Sequence, residues 1–281
     1  MKSFCLKTNN TKILDYLLNR IQEIDFENLI YSQNQFKIYK NIIIHYNGND
    51  NNIFYKFLSN LFEEVVIEFY EEKILKQLIN YNYFYFDEYE KNKILENCLQ
   101  MIEPKMYSNK LANNKQIIEY IKENKSMVLD GFVYFRLKEY IVYLDEIVDG
   151  AVNQFIIEKE YKEFISLLRV YVESRMPEHN LIHLIYMNGE SILLDEKRNI
   201  VSVSENIYNA KYLSDISFSS NDFALNTLLC LLPRKIEIHL IDTEDEFINT
   251  LQLIFQNRIS ICKECDICKT YKVLNNAKIK P

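Results

Sequence analysis

Apolar residues recur along this chain in two rhythms, and the switches between them predict its elements. Residues 3–8 and 36–46 have strand texture. In the second run, Phe36-Lys37-Ile38-Tyr39-Lys40 alternates before entering Ile42-Ile43-Ile44. Between them Ile13, Leu14, Leu17, Leu18 and Ile21 return at helical spacing. Asn47-Gly48-Asn49-Asp50-Asn51-Asn52 is a loop that also supplies helix caps. From Ile53 to about Ile79 an apolar stripe (Phe54, Phe57, Leu58, Leu61, Phe62, Val65, Val66, Phe69) predicts a helix of several turns. Asp87 with Glu90 forms a capping pattern for another helix ending before Pro104, and a shorter helix is expected around 117–125.

The most helical stretch is 130–175. Val133, Leu137, Tyr140, Leu144, Ile147, Ala151 and Phe155 keep the three- and four-residue step, and Tyr161, Phe164, Ile165, Leu168 and Val172 continue it. The run exceeds an ordinary globular helix, so a break is expected between Ile156 and Glu160. After Pro177 the texture changes. Short strands over 181–194 and 200–203 flank Met187-Asn188-Gly189 and Asp195-Glu196-Lys197-Arg198-Asn199. A helix (221–232), strand (235–240), helix (244–257) and strand (259–262) follow, an alternation that predicts a βαβ unit with parallel strands.

The expected fold is therefore helix-rich α+β: a few N-terminal strands, an amphipathic helical middle region and a C-terminal portion containing βαβ. The expected divisions are 1–176, 177–268 and a basic tail over 269–281. One sheet shared between the N- and C-terminal strands, with the helices inserted, is the alternative.

Composition narrows the functional classes. Only 4 glycines and 4 prolines in 281 residues argue against a turn-rich all-β protein. A net charge of −7 disfavours gripping nucleic-acid phosphates, so no nucleic-acid partner is expected. No apolar run approaches the ~20 residues of a transmembrane helix, and the N-terminal segment lacks a signal peptide's apolar region. The expected location is thus the cytoplasm, with all 6 cysteines reduced. The excess of Ile, Asn, Lys and Tyr is what an A+T-rich genome encodes. Tyr81-Asn82-Tyr83-Phe84-Tyr85-Phe86 is read first as that bias and second as an aromatic binding platform.

The sharpest chemical feature is the C-x2-C-x2-C triplet Cys262, Cys265 and Cys268. Thiolates bind zinc or iron in fours, and a C-x2-C turn brings two sulfurs to one metal. These three cysteines are the candidate metal ligands, for zinc or an iron–sulfur cluster. The fourth would come from Cys230, His239, another chain or a labile group. The triplet also matches the start of a bacterial ferredoxin run, but Lys269-Thr270-Tyr271-Lys272-Val273 stands where the next cysteine and proline belong. The bland alternative is three reduced thiols on a terminal loop.

Asp242-Thr243-Glu244-Asp245-Glu246 could hold Mg²⁺ at a strand end, although a capping box from Thr243 to Glu246 explains it more simply. His179 and His183 have the spacing of a helical metal pair but lie in a strand pattern, and His45 and His239 sit in apolar strand-like runs that suit hydrogen-bonded core residues. Gly48, Gly131, Gly150 and Gly189 are too scattered for a P-loop or dinucleotide fingerprint, and no G-x-S-x-G or H-E-x-x-H motif occurs.

The segment from Asp130 to Tyr140 (DGFVYFRLKEY), with Glu158–Ile165 (EKEYKEFI), Ile236-Glu237-Ile238-His239 and Ile259–Cys268 (ISICKECDIC), resembles the YtxC-like family over most of the chain beyond about residue 130. The resemblance implies a sporulation-associated protein of endospore-forming Firmicutes and carries over no catalytic residue. The favoured expectation is a non-enzymatic cytoplasmic protein acting in sporulation through contacts with protein partners. A metal- or Fe–S-binding protein built on the cysteine triplet is the alternative.

Overall fold

The computed structural model describes residues 1–23, 28–102, 115–201 and 219–278. The fold is helix-rich α+β and divides into two compact units, Met1–Glu158 and Lys159–Pro281.

In the first unit, β1 (Lys2–Thr8), α1 (Thr11–Glu23), β2 (Leu29–Gln35) and β3 (Lys40–Tyr46) precede the helices. β3 lies antiparallel between β2 and β1, and β4 (Ser126–Val128) extends the sheet parallel to β1, in the order β2-β3-β1-β4. β2 is absent from the sequence reading because its apolar positions end at Tyr31 and Ser32-Gln33-Asn34-Gln35 carries no alternation. Main-chain pairing with β3 recruits it, and it remains mostly exposed at the sheet edge. The segment Phe36–Tyr39, expected as strand, is instead the connection into β3.

The stripe from Phe54 folds as α2 (Asn51–Val66), one π-helical turn (Ile67–Glu71) and α3 (Glu72–Asn82), with Asp50 capping α2 by accepting from the Asn52 amide at 2.8 Å. The wider π turn buries Tyr70 and Glu71, whose side chains bond Asp130 (3.0 Å, from the Tyr70 hydroxyl) and accept from the Tyr140 hydroxyl (2.6 Å). Asp87 and Glu90 form the expected capping box at α4 (Glu88–Met101). The region around Pro104 lies outside the described residues. α5 (Lys115–Glu123) leads through β4 into α6 (Leu129–Arg136) and α7 (Lys138–Ser174).

α7 runs without interruption through 156–160, contrary to the expected break. The interruption falls at Leu137, whose backbone leaves the helical region (φ −86°, ψ 44°) while its side chain is buried. No glycine or proline stands at 156–160, so local chemistry never opposed continuation there. The boundary between the two units falls inside this helix.

The second unit holds a separate sheet, so the shared-sheet alternative does not apply. β5 (His179–Met187), β6 (Glu190–Leu194), β7 (Pro233–Leu240) and β8 (Ile259–Cys262) take the order β6-β5-β7-β8. β5 and β6 form a hairpin turning through Asn188 and Gly189, both at positive φ (55° and 75°) as such a tight turn requires. β5, β7 and β8 are parallel neighbours, joined by crossovers carrying α8 (Ser220–Leu231) and α9 (Glu246–Phe255). Strands added successively in one direction by crossovers of one hand put their helices on one face. Accordingly Ala224 and Leu228 of α8 and Ile248, Leu251 and Phe255 of α9 pack with Ile182, Leu184, Ile236 and Ile238. Among the described residues the opposite face carries a small apolar cluster, with Ile185, Leu194 and Ile267 buried and Ile192, Ile241 and Tyr271 packed against them, Ile267 coming from the helix α10 (Asp266–Lys278). That thinly covered face holds the cysteine triplet.

Among the described residues no helix is long and apolar enough to cross a membrane.

Candidate metal centre

Parallel register assembles the site. His239 of β7 pairs with Cys262 at the end of β8, and His183 of β5 pairs with Glu237 two residues before His239. Paired residues and residues two apart share a sheet face, so His183, Glu237, His239 and Cys262 all stand on the side opposite α8 and α9. The chain turns after Cys262 and enters α10. The triplet therefore straddles a strand end and a helix start, and Lys269 and Lys272 of the basic tail lie on that helix.

The Cys265 sulfur accepts from the Cys268 amide at 3.5 Å, while its carbonyl accepts from the Lys269 amide at 3.0 Å, placing a thiol at the positive end of α10. Its neighbour Ile267 anchors the same turn in the small apolar cluster.

Four donor atoms converge: the Sγ atoms of Cys262, Cys265 and Cys268 and a ring nitrogen of His239 all lie within 4.8 Å of one another. Cys265 and Cys268 sulfurs are 3.7 Å apart, and those of Cys268 and Cys262 3.9 Å. His239 Nδ1 is 3.3 Å from the Cys265 sulfur and 3.5 Å from that of Cys268. A tetrahedral zinc with ordinary bond lengths would require sulfur–sulfur edges of about 3.8 Å and sulfur–nitrogen edges of about 3.5 Å. A four-iron cluster, which places each thiolate on its own iron atom, would hold the sulfurs much further apart.

The electrostatics around the four donors are uneven. Burial opposes ionisation of Cys262, but the Glu264 and Cys265 backbone and the thiols of Cys265 and Cys268 outweigh it and draw its pKa below the usual thiol value. Burial, reinforced by the neighbouring thiols, pushes the fully enclosed Cys268 up to about 12. Burial also lowers the His239 pKa, helped by His183 and Arg198 against Glu237, so its imidazole is held neutral with one nitrogen available as a donor. The other ring nitrogen, Nε2, lies 2.9 Å from Nδ1 of the buried His183, which also lies 3.4 Å from Glu237 Oε2.

Other expected candidates fall elsewhere. Cys230 is exposed on α8 and does not join the group. His179 is exposed at the start of β5, and His45 Nδ1 lies 2.8 Å from the Ser3 hydroxyl. Asp242 accepts from the Asn188 amide at 2.7 Å, bracing the hairpin turn. The cap of α9 is Asp245 rather than Thr243: it accepts from the Phe247 and Ile248 amides and from the Tyr186 hydroxyl. Asp242 and Asp245 of the acidic segment are thus structural braces. The sequence offers His239 as a possible fourth donor and His183 as half of a pair with His179, but nothing in it links His183 or Glu237 to the cysteines. Only their parallel register could have singled them out.

The family model that matches the chain, the YtxC-like family, covers residues 56–260. The chain belongs to the YtxC-like family. A curated relative in this family, the "Uncharacterized protein YtxC" of Bacillus subtilis (strain 168), is 23% identical over 216 residues, covering 73% of this chain and 76% of the relative. No solved structure matches the chain. The family match includes His183, Glu237 and His239 and stops two residues short of Cys262.

Proposed function

We propose that this protein is a zinc-binding member of its family in which Cys262, Cys265, Cys268 and His239 enclose one Zn²⁺ in a structural role. The observation carrying this reading is the agreement of four of the six donor separations with the edges of a zinc tetrahedron. Four protein donors leave no open position for substrate, which is the arrangement of a structural rather than a catalytic zinc. The small apolar cluster under α10 supports the same reading, because a face with so little buried hydrocarbon gains most from a metal staple.

With the metal structural, the protein acts through binding. The family resemblance supports a sporulating cell as the setting, and the closed ligand set supports action through contacts with protein partners. An iron–sulfur cluster, the other reading of the triplet, is disfavoured by the close approach of the sulfurs.

The test is elemental analysis of protein purified anaerobically without an affinity metal. One zinc per chain is expected, with a colourless visible spectrum, and Cys262→Ser and His239→Ala should each fall well below stoichiometry. Absence of zinc, or a visible iron chromophore, would overturn the reading. For the biological setting, spore yield after replacing the gene with the Cys262→Ser allele should drop; a yield equal to the parent's would remove sporulation from the proposal.

A further inference from the structure

We infer that His183 is the positioning residue of this centre, accepting the Nε2–H of His239 at its own Nδ1 and so fixing the tautomer whose Nδ1 lone pair faces the sulfurs. The inference rests on the zinc reading and adds the source of its ligand geometry.

A neutral imidazole carries one N–H, and a nitrogen bearing hydrogen cannot bind a metal. His239 presents Nδ1 to Cys265 and Cys268, so binding there requires the proton on Nε2. That N–H points into the protein from a residue only 1% exposed, where a donor left without a partner is destabilising. The acceptor within reach is Nδ1 of His183, 2.9 Å away, on a residue that is itself buried. The two rings lie 5.1 Å apart between centroids and 30° from parallel. This is how a metal-binding histidine is ordinarily held: its second nitrogen donates to a fixed partner, which sets the ring orientation.

Accepting this hydrogen bond requires the proton of a neutral His183 to sit on its own Nε2 and leaves its Nδ1 with no hydrogen to give Glu237, 3.4 Å away. Register explains why His183 can serve. β5 and β7 pair His183 with Glu237, so the ring of His239, one pleat further on the same face, passes beside it.

The experiment compares zinc affinity, by competition with a chromophoric chelator, in the parent protein and in His183→Ala, His183→Leu and His183→Asn. Loss of the acceptor should weaken zinc about tenfold to a hundredfold in the Ala and Leu variants. The asparagine places an amide oxygen where Nδ1 stood and should restore affinity to within a few-fold. If the alanine variant fails to fold, the Asn and Leu pair still decides, because both fill the site and only one accepts. Equal affinity in the Leu variant and the parent overturns the assignment and leaves the zinc centre standing; absence of zinc from the parent overturns both. Long-range ¹⁵N–¹H spectra of the zinc-loaded parent give a readout that simple packing would not move: His239 protonated on Nε2 and His183 unprotonated on Nδ1. A proton on His183 Nδ1 in that spectrum would refute the inference.

Discussion

Glu63 shows how strongly position, rather than residue type, sets chemistry in this chain. It lies on the stripe that forms α2, beside Glu64, and the acidic pair suggests a solvated face. Their fates diverge. Glu64 takes a two-pronged contact from Arg20 of α1, with Nε at 2.7 Å and Nη2 at 2.8 Å, whereas Glu63 is buried. Burial, with the Glu64 charge adding to it, raises the Glu63 pKa from 4.5 to about 7. A carboxyl held above its unfolded pKa favours the folded state fully at low pH and loses that contribution as pH rises through the folded value. Glu63→Gln should therefore be more stable than the parent by about 1–3 kcal/mol at pH 8, with the gap closing towards pH 4.5. Denaturant melts at the two pH values check this; a gap independent of pH would refute it. The aromatic tract is split in the same way. Tyr83 and Phe86 pack against the core of the first unit, while Tyr81, Phe84 and Tyr85 face solvent.

At the scale of elements, α10 depends on the proposed metal more than any other helix of the second unit. α8 and α9 each contribute several side chains to an extensive apolar core, but the cluster shared with α10 has three buried members. Chelation of zinc should accordingly release α10 first. Hydrogen exchange before and after chelation is expected to show its amides losing protection, with β7, flanked by β5 and β8, keeping most of its own. Unchanged protection of α10 would show that Ile267 and its neighbours suffice. Elements also mark where local pattern misled. The capping box of α4, the Asn-Gly hairpin and the βαβ alternation were legible because each is written in residues adjacent in sequence. β2 was missed because an edge strand needs a partner's hydrogen bonds more than an alternating pattern.

For the whole molecule, the division at Glu158 predicts separable behaviour. Leu144 is fully buried in the core of the first unit. Leu144→Ala should cost about 2–5 kcal/mol through the cavity it leaves. Zinc stoichiometry in the folded protein should not change, because all four proposed ligands lie within the second unit. Parallel measurement of melting and metal content checks both halves, and loss of zinc in a still-folded variant would contradict the independence.

The helix-rich α+β class, the order of nearly all the elements and the cysteine triplet as the chemical focus are written in the amino-acid sequence, because helical period, caps and C-x2-C spacing act over a few residues. That the N- and C-terminal strands build two sheets, that α7 continues through 156–160, and that His239 and His183 join the cysteines became visible in the folded chain. Those outcomes depend on register between strands distant in sequence: His239 meets Cys262 across β7 and β8, and His183 meets His239 across β5 and β7. No local rule brings residues 183, 239 and 262 together. Parallel pairing does, and it turns three cysteines into a four-donor centre.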